Sequence, residues 1–112
     1  MIFHITTREA WDAAARAGEY PGDTLDVEGF IHCSEQHQVA GVANVRFAGR
    51  DDLVLLQIDP SKVRAEIRYE DAPDGSGTFP HIYGPLNADA VARVVAYRSN
   101  DDGLFGEPNL QK

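Results

Sequence analysis

The chain has 112 residues, 18 acidic against 10 basic side chains, a formal net charge of −8 and 43% hydrophobic residues. That length supports one core rather than two, since half of it would hide too little surface to fold by itself. The negative balance excludes general affinity for a phosphate backbone or an anionic membrane, where binding rests on Lys and Arg displacing counterions.

The N-terminus, Met1-Ile2-Phe3-His4, has neither a basic start nor an apolar stretch of signal-peptide length. The longest strongly apolar run is Leu53 to Leu56, so no membrane-crossing segment is expected. Residues 2–5 are β-rich. Thr6-Thr7-Arg8-Glu9 then has the Thr-x-x-Glu spacing of a capping box, which predicts a helix from Thr7 to Ala17. Gly18 and Tyr20-Pro21-Gly22-Asp23 stop it. A short strand, Gly29 to Cys33, leads to Ser34 as the N-cap of a second helix through about Phe47. Cys33 is the single cysteine and belongs to no CxxC motif, which fits a reducing compartment, and a cytoplasmic location is expected.

Gly49 to Asp52 reads as a turn, and Leu53 to Ile58 as the central strand, ended by Asp59-Pro60. Ile67 to Glu70 and Thr78 to Tyr83, joined by the turn Pro73-Asp74-Gly75-Ser76-Gly77, read as a β-hairpin. Within Asp89 to Arg98 the alanines favour helix and the valines favour strand, predicting a short helical turn followed by a strand. Residues 99–112 read as a loose tail. With no repeat or internal linker, the alternation predicts one α+β domain over 1–112.

The histidines carry the functional signal. Side chains two apart on a strand share a face, and three of the four histidines are followed at that spacing by a hydroxyl: His4 by Thr6, His32 by Ser34, His81 by Tyr83. Only 12 residues are Ser, Thr or Tyr, which makes three such pairs unusual. Converging strands of this kind would line a polar cleft suited to ribose hydroxyls, amides and phosphate oxygens. Glu28 and Glu70 lie beside these strands and supply candidate carboxylates. Thr6 and Ser34 are also helix-cap candidates. His37 is read as solvated, Cys33 as a small core residue, and Trp11, Phe30 and Phe79 as core. A zinc site built from His4, His32 and His81 finds no support in the spacing, since no HxH, HxxxH or HExxH run occurs, and no metal is expected.

The blocks Ile2-Phe3-His4-Ile5-Thr6, Glu28-Gly29-Phe30-Ile31-His32-Cys33-Ser34 with Gln36, and Phe79-Pro80-His81-Ile82-Tyr83-Gly84-Pro85-Leu86 resemble the small bacterial family called domain of unknown function 952. The likeness covers nearly the whole chain. More remotely, that family is similar to the ADP-ribosyltransferases and especially to the RNA 2'-phosphotransferases, with their Tyr-His-Gly-Thr and Val-His-Leu-Ser blocks. Here Phe3-His4-Ile5-Thr6 and Ile31-His32-Cys33-Ser34 stand in those places. The resemblance implies an ADP-ribosyltransferase-like fold, a compact split β-sheet of about six short strands with two main helices.

It also implies NAD, or an ADP-ribosyl compound, as a substrate held between strands. His4 would bind the ribose next to the nicotinamide, and His32 would take the place often held by a stacking tyrosine. His81 would stand where protein-modifying transferases carry a glutamate, with Glu70 supplying the carboxylate from the neighbouring strand. On this reading His32, His81 and Glu70 are the catalytic candidates, and His4, Thr6, Ser34 and Tyr83 bind the ligand. Two departures stand out. Ile5 replaces the glycine where backbone approaches the nicotinamide amide, and the Arg-His pair that grips RNA phosphate has no counterpart, so RNA phosphate transfer is not expected. A binding module that senses a nucleotide or related metabolite without turnover is the alternative.

Overall fold

The computed structural model describes residues 1–22, 24–108 and 110. Asp23, part of the expected stop after the first helix, and Asn109, Gln111 and Lys112, from the expected tail, lie outside the described residues. The fold is α+β, with eight short strands in three small antiparallel sheets and two main helices among the described residues.

The first sheet contains β1 (Ile2–Thr7), β4 (Leu53–Ile58) and β8 (Val91–Ala96) in the order β1-β4-β8. β4 is the expected central strand. Its residues alternate between two groups of core side chains, Val54, Leu56 and Ile58 on one face and Leu53 and Leu55 on the other. Burial on both faces is why this segment reads as an unbroken apolar run rather than an alternating one. A second sheet, in the order β3-β6-β5, contains β3 (Ile31–His32), β5 (Glu66–Asp71) and β6 (Thr78–Tyr83), so the expected hairpin forms. The remaining pair, β2 (Glu19–Tyr20) with β7 (Leu86–Asn87), consists of two-residue strands, too short for any periodic signal.

One bridge joins the two larger sheets. Phe3 on β1 and Ser34, just past β3, exchange both backbone hydrogen bonds, at 2.8 and 2.7 Å. The sheets therefore meet at this point and diverge on either side of it.

The helix α1 (Arg8–Ala17) is capped by Thr7, whose hydroxyl accepts from the Ala10 N–H at 3.1 Å. The capping-box spacing had pointed to Thr6, but β1 continues one residue further and Thr6 remains on the strand. Ser34 is likewise not the cap of the second helix. Its backbone belongs to the bridge with Phe3, and Glu35 caps instead, with Gln38 completing a capping box. A 3-10 turn, Gln36–Gln38, then runs into α3 (Val39–Arg46). A four-residue helix, α2 (Leu25–Glu28), precedes β3 and was not foreseen. The helical turn expected before the last strand is Ala88–Ala90.

Among its described residues the segment after Ser99 contains no strand or helix, yet it is packed rather than loose over its first part. Phe105 is 3% exposed and joins Phe3, Leu55 and Tyr97 in the core. Asn44 on α3 holds it at both ends of its peptide unit, with Nδ2 donating to the Phe105 carbonyl at 3.0 Å and Oδ1 accepting from its N–H at 2.8 Å. The Tyr97 hydroxyl donates to the Gly106 carbonyl at 2.7 Å. Residues 99–104 are polar or exposed, which hid the buried Phe105 behind them.

Candidate functional site

The face of the β3-β6-β5 sheet that carries His32 and His81 gathers several of the candidate site residues. His32 and His81 are direct partners across β3 and β6, and Arg68 on β5 is the next residue in the same row. Their imidazoles meet edge to face, with ring centroids 5.3 Å apart. Each ring is held by a carboxylate. His32 Nε2 lies 2.9 Å from Glu28 Oε2, and His81 Nδ1 lies 2.8 Å from Glu70 Oε1. The carboxylates only accept when ionised, so the bonded nitrogen carries a proton; in the neutral imidazole the opposite one, His32 Nδ1 or His81 Nε2, presents a lone pair.

The Tyr83 hydroxyl donates to the same Glu70 oxygen that His81 uses. This bond, with that from His81 next, holds the Glu70 carboxyl below its usual range, and the Tyr83 phenol is in turn pushed up. A carboxyl depressed in the folded chain stabilises it above the unfolded carboxylate range, and that contribution disappears as pH falls through the depressed value. Tyr83→Phe is therefore expected to raise the Glu70 titration midpoint towards that of an ordinary glutamate. Side-chain carboxyl NMR against pH measures it, and an unchanged midpoint would show that the Tyr83 hydroxyl does not set the shift.

Phe30 lies against this group. Its ring stacks on His81 at 4.1 Å with an 18° interplanar angle, and meets His32 at 4.8 Å edge to face. Phe30 and Phe79 are half-buried and border a cleft, a correction to their expected place in the core. Strand periodicity had carried the signal: Phe30, His32 and Ser34 are two apart, as are Phe79, His81 and Tyr83, so each phenylalanine falls on the histidine face.

The cleft has a volume of about 1120 Å³ and lies where the two larger sheets meet, walled by α3 and the turn between β5 and β6. All four histidines border it, His37 included. Ser34 borders it as well. His37 is exposed, as expected, but stands on the cleft wall rather than on a remote surface. Thr6, Tyr83 and Glu70 do not line it. Glu70 bonds both His81 and Tyr83 outside the lining, whereas Glu28 borders the cleft, as do Glu35 and Asp74.

His4 is tied into the protein. Its Nδ1 donates to the His32 carbonyl at 2.5 Å, an atom that can only accept, and its Nε2 lies 2.8 Å from the Tyr20 hydroxyl. That hydroxyl also lies 3.0 Å from Thr6 Oγ1. His4 and Thr6 thus come together through Tyr20, in a buried trio that fastens β1 to β2 and β3. Both His4 nitrogens are engaged there, and among the described residues no three His, Cys, Asp or Glu side chains are grouped as a metal site. Cys33 is buried, and loss of hydration pushes its thiol far up, so it stays protonated as a small core residue.

The family model of a protein of unknown function, DUF952, matches residues 5–94. The chain belongs to this family. Solved structures of the protein CC0527 from Caulobacter crescentus are similar to this chain over most of its length. The crystal structure is 33% identical, covers 94% of this chain and 92% of that one, and has a TM-score of 0.83. A double methionine mutant of that protein gives 0.82 at the same identity, and its solution NMR structure gives 0.79 at 34% identity over 92% of this chain and 89% of that one. No curated protein matches the chain. Among the described residues of this DUF952 chain, no helix is long and apolar enough to cross a membrane.

Proposed function

We propose that the chain is an ADP-ribosyltransferase-like domain that binds NAD or an ADP-ribosyl compound in the cleft between its two larger sheets, and that transfers or hydrolyses the ADP-ribosyl group. The observation that carries this reading is convergence. His4, His32, Ser34 and His81, drawn from separate blocks of the sequence, border one cleft. Its volume of about 1120 Å³ slightly exceeds the range of about 300–1,000 Å³ typical of small-molecule sites.

In their neutral form His32 and His81 accept from ribose hydroxyls or an amide, and Phe79, with the face of Phe30 that His81 does not cover, supplies flat apolar surface for a ring. Cleavage at the nicotinamide ribose passes through an oxocarbenium-like state, which a carboxylate stabilises. Glu28, on the cleft wall and hydrogen-bonded to His32, stands nearer this role than Glu70, which acts through His81 as a positioning residue. Calorimetric titration with NAD is expected to give saturable heat, weakened by about tenfold, or about 1.4 kcal/mol, in His81→Ala. No heat at millimolar NAD would sink the reading.

A second reading, binding without turnover, is favoured by one observation. Ile5 borders the cleft, and its side chain belongs to the core group of Phe3 and Val39, which leaves no open backbone at that point of β1. NAD hydrolysis that disappears in His32→Ala would decide against it.

A further inference from the structure

The charges around the cleft select which half of a dinucleotide it recognises. Glu28, Glu35 and Asp74 border it, against Arg46 as its guanidinium. Arg46 lies in the last turn of α3, on the exposed side. The other guanidinium near the histidines, Arg68, is bound to Glu66 through two bonds of 3.0 and 3.1 Å and lies 4.5 Å above the Tyr83 ring. It is outside the cleft lining and already neutralised by a carboxylate.

A pyrophosphate needs charged donors or free backbone N–H groups at a helix start. The turn that opens this helical segment is already occupied, because the Gln38 N–H donates to the Glu35 carbonyl at 3.0 Å and the Glu35 N–H donates to Gln38 Oε1 at 2.8 Å, while the Glu35 side chain borders the cleft. An incoming phosphate would meet a fixed negative charge at the place where helical N–H groups would otherwise receive it. A flat cation meets the opposite situation, with carboxylates around it and the ring of Phe79, together with the face of Phe30 that His81 does not cover, offering the negative side of a π system.

Resting on the reading of this cleft as an NAD site, we infer that it recognises an N-ribosylated pyridinium, the nicotinamide riboside half of NAD, more strongly than the pyrophosphate, for which the lining offers Arg46 against three carboxylates. The positively charged ring lies against the aromatic wall and the carboxylates. The ribose hydroxyls meet the imidazoles and Ser34, and the ADP half extends past the mouth. Free ADP-ribose, which has no pyridinium charge and keeps both phosphates, is disfavoured.

The test is parallel calorimetry on the whole chain with nicotinamide riboside, NAD and ADP-ribose at two salt concentrations. Nicotinamide riboside is expected to bind at least as tightly as NAD, and ADP-ribose about tenfold more weakly. Added salt screens attraction and repulsion alike, so it is expected to weaken nicotinamide riboside and to strengthen ADP-ribose. Glu35→Gln, which removes a charge but retains a capping side chain, is expected to narrow the gap between the two ligands. ADP-ribose binding as tightly as nicotinamide riboside, or a gap unchanged by Glu35→Gln, overturns the inference while leaving the cleft a nucleotide site. Absence of binding by all three ligands overturns the NAD reading as well.

Discussion

Phe105→Ala is expected to destabilise the chain by about 3–5 kcal/mol, the range for removing a buried phenylalanine from a packed core. The ring is 3% exposed and lies 5.1 Å from that of Tyr97, centroid to centroid. Truncation would leave a cavity bordered by Tyr97 and by core residues of α3, and the Asn44 bonds to the Phe105 backbone restrict how far the segment can move inward to fill it. Small domains have only about 5–15 kcal/mol of total stability, so the loss is a large share of it. Urea unfolding would show it as a lower midpoint at an unchanged slope. A loss below about 1 kcal/mol would mean that the segment after Ser99 does not belong to the core, since buried Phe→Ala changes cost several times that.

Gly22→Ala should rank close behind, at about 2–5 kcal/mol, as the sum of two costs. The backbone at Gly22 has φ +74°, in the left-handed region, where an L side chain costs about 1–2 kcal/mol. A Cβ there would also stand 2.7 Å from Ile31 Cγ1. Ile31 is fully buried, so it cannot swing aside, and overpacking of this kind costs about 1–3 kcal/mol. Gly18, the C-cap of α1, separates the two terms. Its φ is +83° but nothing lies within 4 Å of an added Cβ, so Gly18→Ala is expected to cost only the backbone term, about 1–2 kcal/mol. Thermal or urea unfolding of both variants measures the difference. Ile31 precedes His32 on β3, so the Gly22 variant should also displace the histidine face and weaken NAD binding, which Gly18→Ala should not. Equal losses of stability in the two would remove the packing argument.

The two variants bear differently on the cleft. Phe105 lies in the core group on the α3 side of β1 and β4, whereas Gly22 supports the strand that carries His32. A binding assay on both would distinguish general loss of stability from displacement of the site.

By itself, the sequence determined the elements whose patterns are local. Leu53–Ile58 declares itself as a central strand through an unbroken apolar run, and the β5-β6 hairpin through its Pro-Asp-Gly turn. The first helix follows from its alanines and terminal glycine. The three His-x-hydroxyl pairs, with the blocks around them, placed the chain in its family and pointed to the strands that border the cleft. Tertiary structure alone decided what depends on residues distant in the chain. The Phe3–Ser34 bridge took Ser34 from its expected cap role and passed that role to Glu35. Asn44 and the core of α3 captured Phe105 across 61 positions of sequence. Most of all, the antiparallel register of β3 on β6 set His32 beside His81 and turned Phe30 out of the core to stack upon them. Spacing along one strand fixes which side chains share a face. Which faces then meet, and which carboxylate stands at the cleft, depends on packing between strands that no short window of sequence contains.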